Sequence, residues 1–234
     1  MRLTSEYDFA GLVATADPEQ DLIGAGGDLA PGTLLSAYSH GVFPMGLGQH
    51  GRGPVGWWFP VERGVLLPDE VHVSRSLRRS MRGFTLTVDR CFDQVLRGCA
   101  DPAREGAWIT PRIRRAYGRL HRLGHAHSIE VWAGRPGEEL AGGLYGVGLG
   151  GFFAGESMFH RRTDASKAAV VALSRVLGAL GEEALVDVQW ATPHLRTLGV
   201  RSIPRTEYLL RLRTARELPD PWRRASLILN NDVG

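Results

Sequence analysis

Asp187 and Gln189 stand two apart in the run 184–190. A strand returns its side chains to one face every second residue. Carboxylate and amide would therefore share a face, with Val186, Val188 and Trp190 on the other. Together they can hold and orient an amine, and the amide can also accept from or donate to a reacting carbonyl. The same spacing equally describes a half-exposed strand with one polar side. Gly155-Glu156-Ser157-Met158-Phe159 offers a second carboxylate. A nucleophile elbow needs a second glycine where Phe159 stands, so Ser157 is not a hydrolase serine. Glu156 follows the apolar Phe152-Phe153-Ala154 and there requires a cationic partner. That partner is internal, such as Arg161 or Arg162, or belongs to a substrate.

Arg75, Arg78, Arg79 and Arg82 fall at i, i+3, i+4 and i+7, so a helix there stacks four like charges on one face. No carboxylate in that helix offers a partner. The face is either solvated or matched to an anion such as a phosphate backbone. His121 and His125 are four apart, but Gly124 ends the helix between them, and no Glu completes a His-Glu-x-x-His zinc motif. No metal site is expected. Gly24-x-Gly26-Gly27 has no plausible strand before it, which argues against a dinucleotide loop.

The elements that would position these residues can be read in order. Pro31 suits a first helical position and Gly41 a stop, with Leu34, Leu35 and Tyr38 between them. Residues 1–61 are otherwise rich in Gly and Pro and read as a small N-terminal domain, leaving 62–234 as the second. There, 65–67 suggests a short strand. Ser74 caps a helix to Arg82, and 84–88 alternates as a strand. Asp89 is placed as the cap of a helix to about Cys99. Thr110-Pro111 opens another, ended by Gly124. Residues 127–132, 140–147 and 152–158 are strands, the last two joined by the turn 148–151. Asp164 is placed as the cap of a long helix to about 180. Residues 184–190 form a strand, 193–198 a short helix, and 206–213 a further helix. The fold class is α+β, a mixed sheet with helices on both faces. This order is shared with the GNAT acyltransferase fold, whose glycine-rich turn offers N–H groups to a coenzyme A pyrophosphate. Residues 160–167 here contain no glycine, and Asp164 would repel a phosphate.

The chain has 234 residues, 28 basic and 25 acidic, with a formal charge of +3. That balance permits a nucleic-acid partner without requiring one. With 43% hydrophobic and 23% charged residues, disorder and coiled coil are excluded as whole-chain descriptions. Cys91 and Cys99 cannot staple a fold of this size and point to a reducing compartment. Met1-Arg2-Leu3-Thr4-Ser5-Glu6 lacks the apolar core of a signal peptide. The longest uncharged stretch, 141–155, is too short to span a bilayer. A cytoplasmic location without membrane contact is expected, with a monomer as the default.

Several motifs occur in order: Gly26-Gly27-Asp28-Leu29, Ala37-Tyr38, Gly41-Val42-Phe43-Pro44, Trp57-Trp58, His72-Val73-Ser74-Arg75-Ser76 and Trp108-Ile109-Thr110. Leu120-His121-Arg122-Leu123-Gly124-His125-Ala126-His127-Ser128-Ile129-Glu130-Val131-Trp132, Gly142-Gly143-Leu144-Tyr145-Gly146-Val147 and Phe153-Ala154-Gly155-Glu156-Ser157-Met158-Phe159 follow. Asp187-Val188-Gln189, Leu198-Gly199 and Ile203-Pro204-Arg205 come last. Over nearly its whole length the sequence closely resembles the bacterial leucyl/phenylalanyl-tRNA–protein transferases.

The resemblance implies a GNAT-like catalytic domain behind a small N-terminal one. It implies transfer of Leu, Phe or Met from aminoacyl-tRNA to the α-amino group of proteins beginning with Arg or Lys. That marks them for N-end-rule degradation, without metal or CoA. Asp187 and Gln189 match the reaction-centre pair, and Glu156 the partner of the acceptor's cationic side chain. Trp108 and Tyr117 would flank the terminal adenosine, as would position 45, where Met45 replaces the usual aromatic. Either adenosine stacking is weaker here, or Trp57 or Trp58 compensates. Phe9-Ala10-Gly11-Leu12 replaces the family's proline-rich start. Leu144, Phe153, Met158, Leu173 and Leu177 would form the donor side-chain pocket. Phe153 and Met158 share a face only if a bulge intervenes, for which Gly155 is the candidate site. Arg75, Arg78, Arg79 and Arg82 would contact the tRNA backbone. The competing readings are a CoA-dependent N-acetyltransferase and a tRNA-binding protein without catalysis.

Overall fold

The computed structural model describes residues 4–103 and 108–231. In the N-terminal part, α1 (Phe9–Ala14) precedes β1 (Leu22–Ala25), α2 (Pro31–Ser39), β2 (Phe43–Gly46) and β3 (Val55–Trp58). The three strands form an antiparallel sheet in the order β1-β3-β2. Pro31 does open α2, and Gly41, at φ +79°, follows its end. Gly24 lies inside β1, so a strand does precede Gly26-Gly27, contrary to expectation. It pairs antiparallel with β3 rather than leading into a parallel crossover.

The second sheet begins at β4 (Glu62–Leu66), earlier than expected and with Arg63 inside it. It continues with α3 (Arg75–Met81), β5 (Phe84–Val88), α4 (Phe92–Cys99), α5 (Pro111–Arg122), β6 (Ala126–Ala133), β7 (Glu139–Leu149) and β8 (Phe152–His160). Then come α6 (Ala165–Gly178), β9 (Leu185–Gln189), α7 (Pro193–Arg196), β10 (Arg201–Pro204), α8 (Arg205–Glu217) and α9 (Ala225–Asn231). The strand order is β10-β4-β9-β8-β7-β6-β5, antiparallel except for β8 against β9. β10 and α9 were not legible in the sequence.

Two caps differ from expectation. Asp89 has φ +55°, and α4 starts only at Phe92. The Asp89 carboxylate instead accepts from the Ser128 amide, and the Nδ1 of His127 lies 2.6 Å away. Asp164 precedes α6 in a left-handed conformation without capping it through its side chain. Its carboxylate accepts from the Ser80 hydroxyl and lies 3.8 Å from Lys167. Ser74 and Thr110 cap α3 and α5 as expected.

Helices cover both faces of the large sheet. On one, Leu77 of α3, Leu173 and Leu177 of α6 and Leu229 of α9 pack with Ile129, Val131 and Phe153. On the other, α4, α5 and α8 pack through Phe92, Val95, Ile113, Tyr117 and Tyr208. Phe9, Leu34, Tyr38, Phe43 and Trp57 of the N-terminal part belong to this second cluster. One core therefore joins the two sheets.

A bulge is present, one residue beyond the expected Gly155. Tyr145 pairs with Ser157 and Gly146 with Gly155, so Glu156 is the extra residue of β8. The bulge reverses the alternation, and Phe153 and Met158 both reach the α6 side.

Candidate active site

Residues from seven elements, α2, β2, β4, α5, β8, β9 and α8, converge where β8 and β9 cease to pair. Their ladder covers only Phe152–Ala154 against Leu185–Asp187. Just beyond it stand Glu156 and Gln189.

Asp187 has no exposed surface, and neither does its partner in any useful degree: Arg63 is 1% exposed. Arg63 Nε donates to Asp187 Oδ1 at 2.8 Å and Nη2 to Oδ2 at 2.5 Å, a bidentate fork. The Tyr208 hydroxyl donates to Oδ2 at 3.0 Å. Arg63 Nη1 donates to the Gly41 carbonyl at 3.0 Å. The guanidinium lies between the rings of Phe43 and Tyr208, 4.9 and 4.4 Å from their centroids. A buried charge pair persists only when its polar atoms are met, and here each nitrogen of Arg63 and each carboxylate oxygen of Asp187 has at least one partner. Burial works most strongly against the Arg63 charge, but Asp187, Tyr208 and Glu156 together outweigh it and raise the guanidinium's pKa.

The strand geometry departs from a regular alternation at Gln189. Its φ is +63°, and its backbone N–H turns back to Asp187 Oδ1 at 2.8 Å. Gly64 opposes Gln189. A Cβ on Gly64 would lie 2.6 Å from the Trp190 carbonyl carbon and the Ala191 nitrogen, so only glycine admits this turn. The Gln189 Nε2 is buried without a hydrogen-bond partner among the described residues.

Glu156 faces tyrosines, not the internal cation expected of Arg161 or Arg162. Arg162 pairs with Glu139, and Arg161 donates to the Leu140 carbonyl. Tyr117 donates to Glu156 Oε2 at 2.8 Å, and the Tyr38 and Tyr117 hydroxyls share a short hydrogen bond. Burial lifts the Glu156 carboxyl to about 7, against the lowering effect of the tyrosine hydroxyls; nearby Asp187 raises it further and Arg63 lowers it. Glu156 Oε1 has no partner among the described residues. The site thus holds an acid poised near neutrality and a free amide, beside a fully satisfied Arg63–Asp187–Tyr208 cluster.

A family model described as leucyl/phenylalanyl-tRNA protein transferase matches residues 65–213, and that family's N-terminal domain matches residues 27–61. A leucyl/phenylalanyl-tRNA–protein transferase of Shewanella baltica (strain OS185) is 46% identical over 224 residues, covering 93% of this chain and 91% of the relative. One from Chromohalobacter salexigens is 52% identical over 193 residues, covering 80% and 72%. One from Stutzerimonas stutzeri is 49% identical over 207 residues, covering 87% and 88%. The chain belongs to the leucyl/phenylalanyl-tRNA–protein transferase family. It is an aminoacyltransferase.

In this transferase the residues expected at the terminal adenosine are not all together. Trp108 is half-buried, and its carbonyl oxygen lies 2.7 Å from where a Gly51 Cβ would stand. Gly51 in turn packs on Gly46, next to the half-buried Met45. Met45 and Trp108 thus flank one corner of the molecule, beside a cleft of about 650 Å³ lined by Gly46, Gly51, Thr110 and Arg112. Tyr117 is fully buried, its hydroxyl engaged with Tyr38 and Glu156, and exposes no ring face. Trp57 is buried against Phe9. Trp58 packs edge-on against Trp190.

Leu144, Phe153, Leu173 and Leu177 lie in one cluster, closed from solvent, with Met158 packed against it. The structure brings all five together. Arg75, Arg78, Arg79 and Arg82 are exposed and make no ion pair among the described residues. No group of three or more His, Cys, Asp or Glu among the described residues is arranged for a metal. No helix among them is long and apolar enough to cross a membrane.

Arg63, Tyr38 and Tyr208 were missed in the sequence. Tyr38 showed only as one member of an apolar helical stripe. Arg63 stood just outside the residues taken for a strand. The legible signal was its alternation with Val65, which places an arginine on an inward face.

Proposed function

We propose that this enzyme moves Leu, Phe or Met from aminoacyl-tRNA to the α-amino group of proteins beginning with Arg or Lys. The observation that carries the reading is the pair of unpartnered buried atoms, Glu156 Oε1 and Gln189 Nε2, at the opening between β8 and β9. Glu156, when ionised, takes the acceptor's cationic first side chain. Gln189 Oε1 accepts from the attacking amine, and Nε2 donates to the ester carbonyl as negative charge develops on its oxygen. An amide is too weak a base to remove the proton, so Gln189 positions and does not deprotonate. The amine nitrogen bonds to the carbonyl carbon, the ester C–O bond breaks, and the proton lost by the amine ends on the departing ribose oxygen.

Asp187 acts through what it holds. Fixed by Arg63 and Tyr208, it fixes the Gln189 backbone and, through it, the amide that meets the amine. The donor side chain enters beside the half-buried Met158 and must displace packing in the cluster of Leu144, Phe153, Leu173 and Leu177, which is closed in this structure. Trp108 and Met45 flank the adenosine, and stacking on Trp108 contributes about 1–3 kcal/mol. Tyr117 is reassigned from that role to holding Glu156. The exposed arginines of α3 contact tRNA phosphates. The protein works as a monomer in the reducing cytoplasm, where Cys91 and Cys99 stay outside any disulfide.

The test mixes labelled Leu-tRNA with peptides beginning with Arg, Lys or Gly, and separately supplies acetyl-CoA. Labelled Arg and Lys peptides, with none from Gly or from acetyl-CoA, are expected. Asp187→Ala should cut transfer by orders of magnitude and leave tRNA binding nearly intact. Equal loss of binding would contradict the role given to Asp187.

A further inference from the structure

Helix α5 has two unlike faces. Ile113, Ala116, Tyr117 and Leu120 are buried and deliver the Tyr117 hydroxyl to Glu156. The other face carries Arg112, Arg114, Arg115, Arg119 and Arg122, all exposed, and the helix contains no Asp or Glu. Arg115, Arg119 and Arg122 are i, i+4 and i+7, a stripe of like charges that weakens the helix by itself. Gly118, in their midst, leaves an open floor: a Cβ there would meet only Arg122 Nη1, at 3.8 Å. The result is a groove of about 520 Å³ between α4 and α5, lined by Arg97, Arg114, Arg115, Arg119 and Arg122. None of these five makes an ion pair among the described residues. Asp93 also lines the groove and is itself without one there.

The groove adjoins the cleft beside Gly51. It shares Pro111 and Arg114 with the cleft that touches Gly51, beside Trp108. From that corner α5 runs for about 17 Å, at 1.5 Å per residue. A polyanion whose end lies at Trp108 would therefore meet the arginines in succession. α3 packs on the opposite face of the sheet, so its arginines form a separate patch.

We propose that the α4–α5 groove is a track for phosphates of the acceptor arm of aminoacyl-tRNA. This rests on the transfer reading above. Arginines spaced along a helix, without an ion pair among the described residues, fit a repeating phosphate backbone, and the contact would be independent of base sequence. An acidic stretch of the acceptor protein is the competing occupant.

The test compares the full chain with the triple variant Arg115→Gln, Arg119→Gln, Arg122→Gln, and with Gly118→Asp, which places a carboxylate on the groove floor. KM for Leu-tRNA should rise about tenfold or more, and the log–log salt slope of the triple variant should fall by about 2–3, near 0.9 per lost phosphate contact. Transfer from 3′-leucyl-adenosine, which has no phosphates, should be unchanged, as should KM for an Arg peptide. Charge reversal at Arg78 and Arg79 of α3 should add its own increase in log KM independently. An active wild type beside variants of unchanged tRNA KM and salt slope overturns the track alone. A raised KM for an acidic acceptor with tRNA KM unchanged assigns the groove to the protein substrate and overturns it too. A wild type inactive with Leu-tRNA but active with 3′-leucyl-adenosine overturns the tRNA reading, and the track with it.

Discussion

Glu156 is enclosed between tyrosine hydroxyls, and burial lifts its carboxyl to about 7 from the ordinary 4.5. The folded protein thus holds this proton more tightly than the unfolded chain does. Its contribution to stability is fully present below about 4.5 and is lost as pH rises through about 7. The acceptor's cation needs the ionised form, so the same titration acts oppositely on binding. KM for an Arg peptide should fall as pH rises through about 7, while stability declines between about 4.5 and 7. Glu156→Gln should raise that KM, flatten its pH profile and remove this part of the stability slope. A Gln variant retaining the wild-type KM profile would sink the role given to Glu156. The sequence exposed the need for a cation beside this carboxylate and not the tyrosines that substitute for one. Tyr38 and Tyr117 are 79 residues apart, and no local pattern announces that two helices will bring their hydroxyls together. Arg63 and Asp187, 124 residues apart, are hidden for the same reason.

Elements with long, regular patterns were legible. α5 showed through its Thr110-Pro111 start and Gly124 stop, α6 as a long apolar run after Asp164, β5 through alternation, and β7 and β8 through the glycine turn between them. β1, β2 and β3 were not, because each spans four residues of a Gly- and Pro-rich segment. The Glu156 bulge was inferable only by demanding that Phe153 and Met158 share a pocket. Asp89 illustrates the opposite error: its local cap signal is real, but its carboxylate is taken by the Ser128 amide on the neighbouring strand. At the end of α2, Gly41 has to be glycine for two reasons. Its φ is +79°, and a Cβ would stand 2.8 Å from the Tyr208 ring. Its carbonyl also holds Arg63. Gly41→Ala should therefore cost about 1–3 kcal/mol and lower kcat by displacing the supports of Asp187. Gly124→Ala is the control, at φ +78° with open space around it. It should cost about 1 kcal/mol of backbone strain and leave kcat unchanged. Equal kcat effects from both would show that Gly41 matters only through stability.

Across the whole molecule, composition suggested two domains divided near residue 61, yet the packing crosses that line. Phe9, Leu34, Tyr38, Phe43 and Trp57 share a buried cluster with Phe92, Ile113, Tyr117 and Phe152. The polar site crosses it as well, since Tyr38 reaches Tyr117, and Gly41 and Phe43 hold Arg63. A part that completes both the core and the site of another has little reason to unfold separately. Thermal unfolding should be a single transition with equal calorimetric and van't Hoff enthalpies, and loss of transfer activity should follow the same curve. Residues 62–234 alone should expose the apolar face that α2, β2 and β3 cover, and bind ANS. Two resolved transitions, or a folded 62–234 fragment, would mean that the shared cluster contributes little. Activity lost well below the main transition would place the weak point at the seam, where Arg63 depends on a carbonyl from the other part. With a single curve, assembling the acceptor site and burying the core are one event.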